Sequence, residues 1–338
     1  MSPPIELEDG RYVLRELLGA GNFGEVWRGE DRHQAVEVAV KLLEDPITLD
    51  EVLMESRLLA RLRDHEHVVT IRNVVIAAPR PFIVMDFMAG GSVGARLSAG
   101  TVTLVEAVRW VRHALAGLGH AHSLGVLHRD VKPGNMLLDE RDRAVLSDFG
   151  IAEDTIQNIL LNDLIYTRHA APELGTTGSS VQTDIWAMGC TLYRLLTGEH
   201  AFEGPDDARA RPLTDPHQLN IQIPLSVTRV VRSALAVDPA ERFASATEMI
   251  AALNACGVVN SWSFQGGQDD EEQWTAQVDA GTYSASMSRR ARGGFEVVVK
   301  LDRGRGARRV FRRRNDRVPG ARQLLRKALV AVVEGRSP

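Results

Sequence analysis

Short apolar-rich runs over residues 12–18, 25–29 and 35–42 predict three strands near the start of the chain. Over residues 50–63 the spacing changes to three and four, with Val52, Glu55, Leu59 and Leu62 on one stripe, and predicts a helix. Two more apolar runs, 68–76 and 81–87, predict strands. From Thr103 onward the pattern is helical, with Leu104, Ala107, Val108, Val111, Ala114, Leu115 and Leu118 on one face. Helical stretches recur at 184–197, 226–236 and 245–255, so a small mostly-β unit precedes a larger mostly-α one. The periodicity fails near Gly257, and residues 257–272 read as a linker. Beyond it, segments 274–278, 283–287, 295–301 and 308–313 predict strands separated by Gly-containing turns. Phe295, Val297, Val299 and Leu301 share one face of the third. Residues 321–333 put Ala321, Leu324, Leu325, Ala328, Leu329 and Val332 on one helical face. The end of the chain therefore reads as a small antiparallel sheet with a helix packed on it. There is no internal repeat.

The length of 338 residues sets a prior of about two domains. Apolar residues make up 44% and charged residues 25%, which excludes a wholly disordered chain. No run approaches the roughly 20 apolar residues of a membrane helix. The first residues have neither a basic region nor an apolar one, so a signal peptide is not expected. Cys190 and Cys256 cannot build a disulfide framework or a four-ligand zinc site, and both sit among apolar neighbours. A soluble protein of a reducing compartment, the cytoplasm, with no membrane partner, is the expectation.

Charge divides the chain. Residues 1–257 hold 24 Lys+Arg against 35 Asp+Glu, whereas residues 258–338 hold 16 against 9. Two units with different surfaces follow. Of the 40 basic residues only four are lysine, namely Lys41, Lys132, Lys300 and Lys327. Arginine's planar fork cannot replace an ammonium at every site, which singles these positions out.

Gly19, Ala20, Gly21, Asn22, Phe23 and Gly24 form a G-x-G-x-x-G between two predicted strands. A dinucleotide site would have this motif open a helix, so a glycine-rich turn, or a flap whose backbone approaches phosphates, fits better. Lys41 ends the strand over 35–42, on the face shared with Ala39 and opposite Val38 and Val40. Glu55 lies on the apolar stripe of the following helix, where a carboxylate is costly unless paired. Lys41 is its natural partner.

Three further motifs follow in order: His128-Arg-Asp-Val-Lys-Pro-Gly-Asn135, Ser147-Asp-Phe-Gly150 and Ala171-Pro-Glu173. With the glycine loop and Lys41 they make residues 11–255 resemble the eukaryotic-type (Hanks-type) serine/threonine protein kinases, particularly the bacterial members. The resemblance implies an α+β, bilobal fold, with a β-rich N-lobe over 8–87 and an α-rich C-lobe over 88–256. The small basic α+β domain over 273–338 is additional to it. The implied activity is transfer of the γ-phosphoryl group of ATP to Ser/Thr hydroxyls of protein substrates, with Mg²⁺.

Site residues carry over by motif. Asp130 accepts or orients the substrate hydroxyl proton, Lys132 steadies the transferring phosphoryl group, and Lys41 paired with Glu55 meets the phosphates. Asn135 and Asp148 are the implied Mg²⁺ ligands. Leu18, Val26, Ala39 and Leu137 sandwich adenine beneath the glycine loop of residues 19–24. Met85 is the implied gatekeeper, and backbone groups of Asp86 and Met88 the adenine partners. Phe149 and His128, with Leu59, resemble the spine of the active state. Asp184 opens the helix that anchors the catalytic loop, and Glu173 with Arg242 resembles the ion pair of the large lobe.

The chain departs from the family before Ala171, where Tyr166 and His169 occupy the usual threonine and tyrosine places and Thr167 is displaced by one. The loop before it is apolar, with Thr155, Tyr166 and Thr167 as its phosphate acceptors. Arg129 beside the catalytic aspartate suggests a loop ordered by phosphate, so autophosphorylation at Thr155 or Thr167 is expected. An apolar partner, or packing against the lobe, is the other way to order it. For the basic segment 289–327, with 15 basic and three acidic residues, three readings stay open: docking of acidic proteins, nucleic-acid binding, and a solvated arginine-rich surface. Few aromatics lie near it, which weakens the case for stacking on single strands. A kinase-fold scaffold or a partner-activated regulator is the alternative function, although Lys41, Asp130, Asn135 and Asp148 are all present.

Overall fold

The computed structural model describes residues 5–21, 24–43, 62, 65–75, 81–100, 102–149, 167–266, 271–291 and 293–338. Asn22, Phe23, Glu55, Leu59, Thr155 and Tyr166, with the helix expected over 50–63 apart from Leu62, lie outside the described residues.

Six strands form the N-terminal sheet: β1 (Ile5–Leu7), β2 (Tyr12–Gly21), β3 (Gly24–Asp31), β4 (Val36–Leu42), β5 (Ile71–Val75) and β6 (Phe82–Asp86). Their order is β1-β2-β3-β4-β6-β5, every pair antiparallel. Alternation along β4 and β6 divides the side chains between two faces. Val38, Val40, Leu42, Phe82 and Val84 pack with Tyr12 and Leu14 on one face. Ala39, Ile83 and Met85 pack with Val69 and Val145 on the other, toward the helical lobe. The two lobes are stitched by main chain, since Val69 N donates to Leu146 O at 2.9 Å and Leu146 N to His67 O at 2.9 Å.

The larger lobe holds α1 (Val93–Ser98), α2 (Leu104–Ser123), β7 (Met136–Leu138), β8 (Ala144–Leu146), α3 (Leu174–Thr177), α4 (Val181–Thr197), α5 (Pro205–Ala210), α6 (Pro216–Leu219), α7 (Leu225–Ala234) and α8 (Ala246–Ala255). Two capping boxes start its main helices, Thr103 with Glu106 on α2 and Ser180 with Thr183 on α4. Helix α4 is buried almost from end to end, so it forms the axis of the lobe.

The C-terminal unit is a meander, β9 (Ser263–Gly266), β10 (Glu272–Val278), β11 (Gly281–Arg289), β12 (Phe295–Asp302) and β13 (Arg308–Asn315), with α9 (Val318–Val333) across one face. Phe295, Val297, Val299 and Leu301 are all buried, under a helix whose Ala321, Leu325, Leu329 and Val332 are also buried. Within the stretch read as a linker, the described residues 259–262 make specific contacts. Trp262 is 4% exposed and its indole N–H donates to Leu329 O at 3.0 Å. The Gln222 side chain accepts from Trp262 N at 2.8 Å and donates to Trp262 O at 3.1 Å. Val259 N and Asn260 N both donate to Val333 O, and Val105 N donates to the Ser261 hydroxyl. The polar composition of this stretch conceals the contacts because every partner is distant in sequence. One apolar core consequently runs from the helical lobe into the C-terminal sheet.

Three histidines, His113, His169 and His200, are packed into this frame in surroundings that disfavour their charged form. The His67 and His113 rings stack 4.5 Å apart, and His113 Nδ1 accepts from Ala144 N. Burial above all, then the cations beside each ring, push His113, His169 and His200 down to about 4. An unfolded imidazole titrates near 6.5, so the unfolded chain binds more protons as pH falls below that value. The stability from these rings is complete above about pH 6.5 and lost as pH falls through about 4. Urea midpoints measured from about pH 7 to about pH 4.5 should decline steadily, and a flat profile contradicts the assignment.

Candidate active site

A continuous run of polar contacts lines the cleft between the lobes. Lys41, buried at the end of β4, reaches Asp148, with Nζ 2.6 Å from Oδ1. The Ser147 hydroxyl donates to Asp148 Oδ2 at 3.0 Å and lies 3.3 Å from Asn135 O. Asn135 Nδ2 donates to both the carbonyl and the Oδ2 of Asp130, each at 2.8 Å. Lys132 Nζ donates to the same Oδ2 at 2.7 Å. The structure thus joins Lys41, Asp148, Ser147, Asn135, Asp130 and Lys132 through six consecutive partners. Glu55, the expected partner of Lys41, lies outside the described residues.

The local backbone explains why these groups converge. Arg129 has φ 68° and Asp148 φ 55°, left-handed values that cost non-glycine residues on the order of 1 kcal/mol or more. Tertiary contacts hold both. Buried Asp184, on the first turn of α4, accepts from His128 N and Arg129 N, each at 2.8 Å, and lies 2.8 Å from His122 Nε2. Phe149 is buried against His128, with ring centroids 4.5 Å apart. Burial alone raises the Asp148 carboxyl, but the Lys41 charge and hydrogen bonds from Lys41 and Ser147 outweigh it, so it sits below the usual carboxylate range.

Above this run lies an apolar slot. Ala39, Met85, Val26, Met88 and Leu137 belong to one cluster, and Ala39 sits directly across from Met85 between β4 and β6. Leu18 stands outside that cluster at 46% exposure on β2. Asp86 N donates to Thr70 O, its carboxylate pairs with Arg72, and Met88 O accepts from Gly91 N. Gly19, Ala20 and Gly21 end β2 and Gly24 starts β3, with Gly21 opposite Gly24. Gly24 has φ 111°, and a Cβ there would meet Leu42 O at 1.8 Å, so no other residue fits.

The donor set fits Mg²⁺. Asp148 supplies carboxylate oxygens, and Asn135 commits its amide nitrogen to Asp130, which leaves the amide oxygen as its donor; both are hard ligands. Among the described residues no group of three or more His, Cys, Asp or Glu forms a metal cluster.

Below the cleft, Arg242 has no exposed side-chain surface and donates twice to Glu173, at 2.7 and 2.8 Å. The departing segment ends in a single 3-10 turn, Thr167–His169, with His169 buried. Ser147 and His122 are the participants the sequence reading did not assign. Ser147 could have been found as a hydroxyl beside Asp148, whereas His122 meets Asp184 across 62 positions and leaves no local signal.

Comparison with known proteins agrees with this geometry. The family described as protein kinase domain matches residues 12–253. CBL-interacting protein kinase 16 of Oryza sativa subsp. japonica is 34% identical over 248 residues, covering 69% of this chain and 54% of that protein. Serine/threonine-protein kinase PknJ of Mycobacterium tuberculosis is 32% identical over 275 residues, covering 74% of this chain and 46% of its own. Serine/threonine-protein kinase PknH of the same species is 33% identical over 262 residues, with 72% and 42% covered. The chain spans about half the length of these relatives.

Proposed function

Because this chain belongs to the protein kinase family, we propose that it transfers the γ-phosphoryl group of ATP to serine and threonine hydroxyls of proteins. The observation that carries this reading is the hydrogen-bonded run from Lys41 through Asp148, Ser147, Asn135 and Asp130 to Lys132. Phosphoryl transfer needs reactants held in line and charge neutralised, with little covalent chemistry from the protein.

Each side chain then has a task. Asp130 Oδ2, held by Lys132 and Asn135, accepts the acceptor hydroxyl's hydrogen bond and aims its oxygen at phosphorus. Lys132 is already beside that carboxylate, so its charge falls where the transferring group passes. Lys41 gives the phosphates an ammonium at the buried end of β4, and Glu55 is proposed to orient it. Asn135 and Asp148 would hold Mg²⁺, whose charge would offset that of the nucleotide's phosphates. Leu18, Val26, Ala39 and Leu137 sandwich adenine, with Met85 at the back and the main chain of Asp86 and Met88 at its edge. Residues 19–24 cover the phosphates as a flap. Gly24→Ala is expected to weaken ATP binding by about tenfold or more, because its Cβ displaces the flap from β4. Nucleotide titration followed by fluorescence checks this, and unchanged affinity contradicts it.

The proposal extends to autophosphorylation at Thr155 or Thr167, supported by the hydroxyls those residues carry close to the site in sequence. It also takes a reducing, cytoplasmic setting, supported by two buried free thiols, Cys190 and Cys256. No described helix is long and apolar enough to cross a membrane. For β13 it takes an acidic protein partner, supported by the exposed Arg308, Arg309 and Arg313. Transfer of label from γ-labelled ATP to a general protein acceptor, followed by phosphoamino-acid analysis, tests the function. Label on serine or threonine that disappears with a Mg²⁺ chelator is expected. No transfer, or label on tyrosine alone, contradicts the reading.

A further inference from the structure

The catalytic loop is held at both ends of its central stretch, directly by one residue of α4 and, through His169, by a second residue of the same helix. Upstream, Asp184 of α4 takes the amides of His128 and Arg129 directly. Downstream, the buried Val131 carbonyl lies 3.0 Å from His169 Nδ1, and the same nitrogen is 3.3 Å from the Thr191 hydroxyl. Thr191 follows Asp184 by seven positions, two helical turns, so both face the loop from one side of α4. Both are also buried, Asp184 at 1% and Thr191 at 0% exposure. A carbonyl only accepts, so His169 Nδ1 carries the proton and is the donor. Val131 stands between Asp130 and Lys132, and the orientation of its peptide sets where those two side chains point.

We propose that His169 is a positioning residue: it clamps the Val131 carbonyl against Thr191 of α4 and thereby fixes the Asp130–Lys132 pair for phosphoryl transfer. His169 also closes the 3-10 turn Thr167–His169, directly before Ala171. This turn is therefore tied to the catalytic loop through a neutral internal hydrogen bond, one that needs no phosphate. Burial above all, and the Arg194 and Lys132 charges nearby, favour this neutral donor over an imidazolium. The proposal rests on the kinase reading for its effect on rate, but the clamp itself is a statement about the loop.

Three variants test it in the full chain: His169→Leu removes the donor, His169→Asn keeps an N–H at the same distance from the backbone, and Thr191→Val removes the helix hydroxyl at nearly constant shape. His169→Leu should lower kcat by about 10- to 100-fold with KM for ATP nearly unchanged, because the misplaced groups act on the transferring phosphoryl and not on nucleotide binding. His169→Asn should restore most of kcat. Amide hydrogen exchange should quicken in residues 128–138 of the leucine variant while α2 and α8 keep their protection. Unchanged kcat in His169→Leu, equal losses in the leucine and asparagine variants, or exchange that quickens throughout the lobe overturns the proposal. If the leucine variant does not fold, kcat kept in His169→Asn and reduced in Thr191→Val supports the clamp, and any other pattern overturns it. If the wild type transfers no phosphate, the functional reading fails, and the exchange data still decide the clamp.

Discussion

Asp130→Asn is expected to lower the rate of phosphoryl transfer by about 10²- to 10⁴-fold, the range that a positioned proton acceptor contributes. The substitution keeps the shape of the side chain, so an amide oxygen can still accept from Lys132 Nζ and Asn135 Nδ2, which now meet at Asp130 Oδ2. It removes the negative charge and the capacity to take a proton. Lys132 loses its counter-charge in the same step, and its ammonium no longer has a fixed direction toward the phosphoryl group. The apolar slot formed by Ala39, Met85 and Leu137 is not touched, nor is the Lys41–Asp148 pair. Nucleotide affinity should therefore stay within about a factor of three, which separates loss of chemistry from loss of folding. Single-turnover transfer and nucleotide titration on the same preparation check both halves. A variant that keeps a tenth or more of the rate contradicts the role given to Asp130.

Trp262→Ala is expected to destabilise the whole chain by about 3–5 kcal/mol, the usual cost of emptying a buried aromatic site. The indole fills the junction of three elements: α9 through Leu329, the loop before α7 through Gln222, and β11 through Tyr283, 6.2 Å away centroid to centroid. Its removal also takes away the indole N–H that ties this junction to Leu329 O, although that carbonyl keeps its helical partner within α9. Because one core crosses the junction, the helical lobe and the C-terminal sheet should unfold together, in one transition at a lower urea midpoint. Two separate transitions, or a loss below about 1 kcal/mol, would show that the C-terminal unit is an independent appendage. The same reasoning makes removal of residues 258–338 destabilising for the kinase lobe, since Gln222 and the first turn of α2 lose their partners there.

Much of the active site is legible along the chain because its chemistry sits in short contiguous motifs. Asp130, Lys132 and Asn135 lie within six residues of one another, and a loop that short brings its side chains together with little help. The faces of β4 and β6 are equally legible, since period-two alternation assigns Ala39, Lys41 and Met85 to the cleft side. The C-terminal strands and helix follow the same periodic logic. Residues 257–262 do not, because Trp262 and Ser261 find their partners 40 to 156 positions away. A segment without periodicity of its own is indistinguishable in sequence from a linker until those partners are known.

The identity of the groups, their order, and the two-lobed plan are thus properties of the sequence by itself: motif spacing and hydrophobic period are local quantities, set by covalent geometry and side-chain type. Tertiary structure alone decides which charge meets which. It pairs Lys41 with Asp148 across 107 positions, stretches Asp184 to the amides of His128 and Arg129, and carries His169 to the carbonyl of Val131. Each of these contacts is a directional hydrogen bond a few ångströms long between residues far apart in the chain. Its formation depends on how helices and sheets pack, and packing is set by the shape of the whole core.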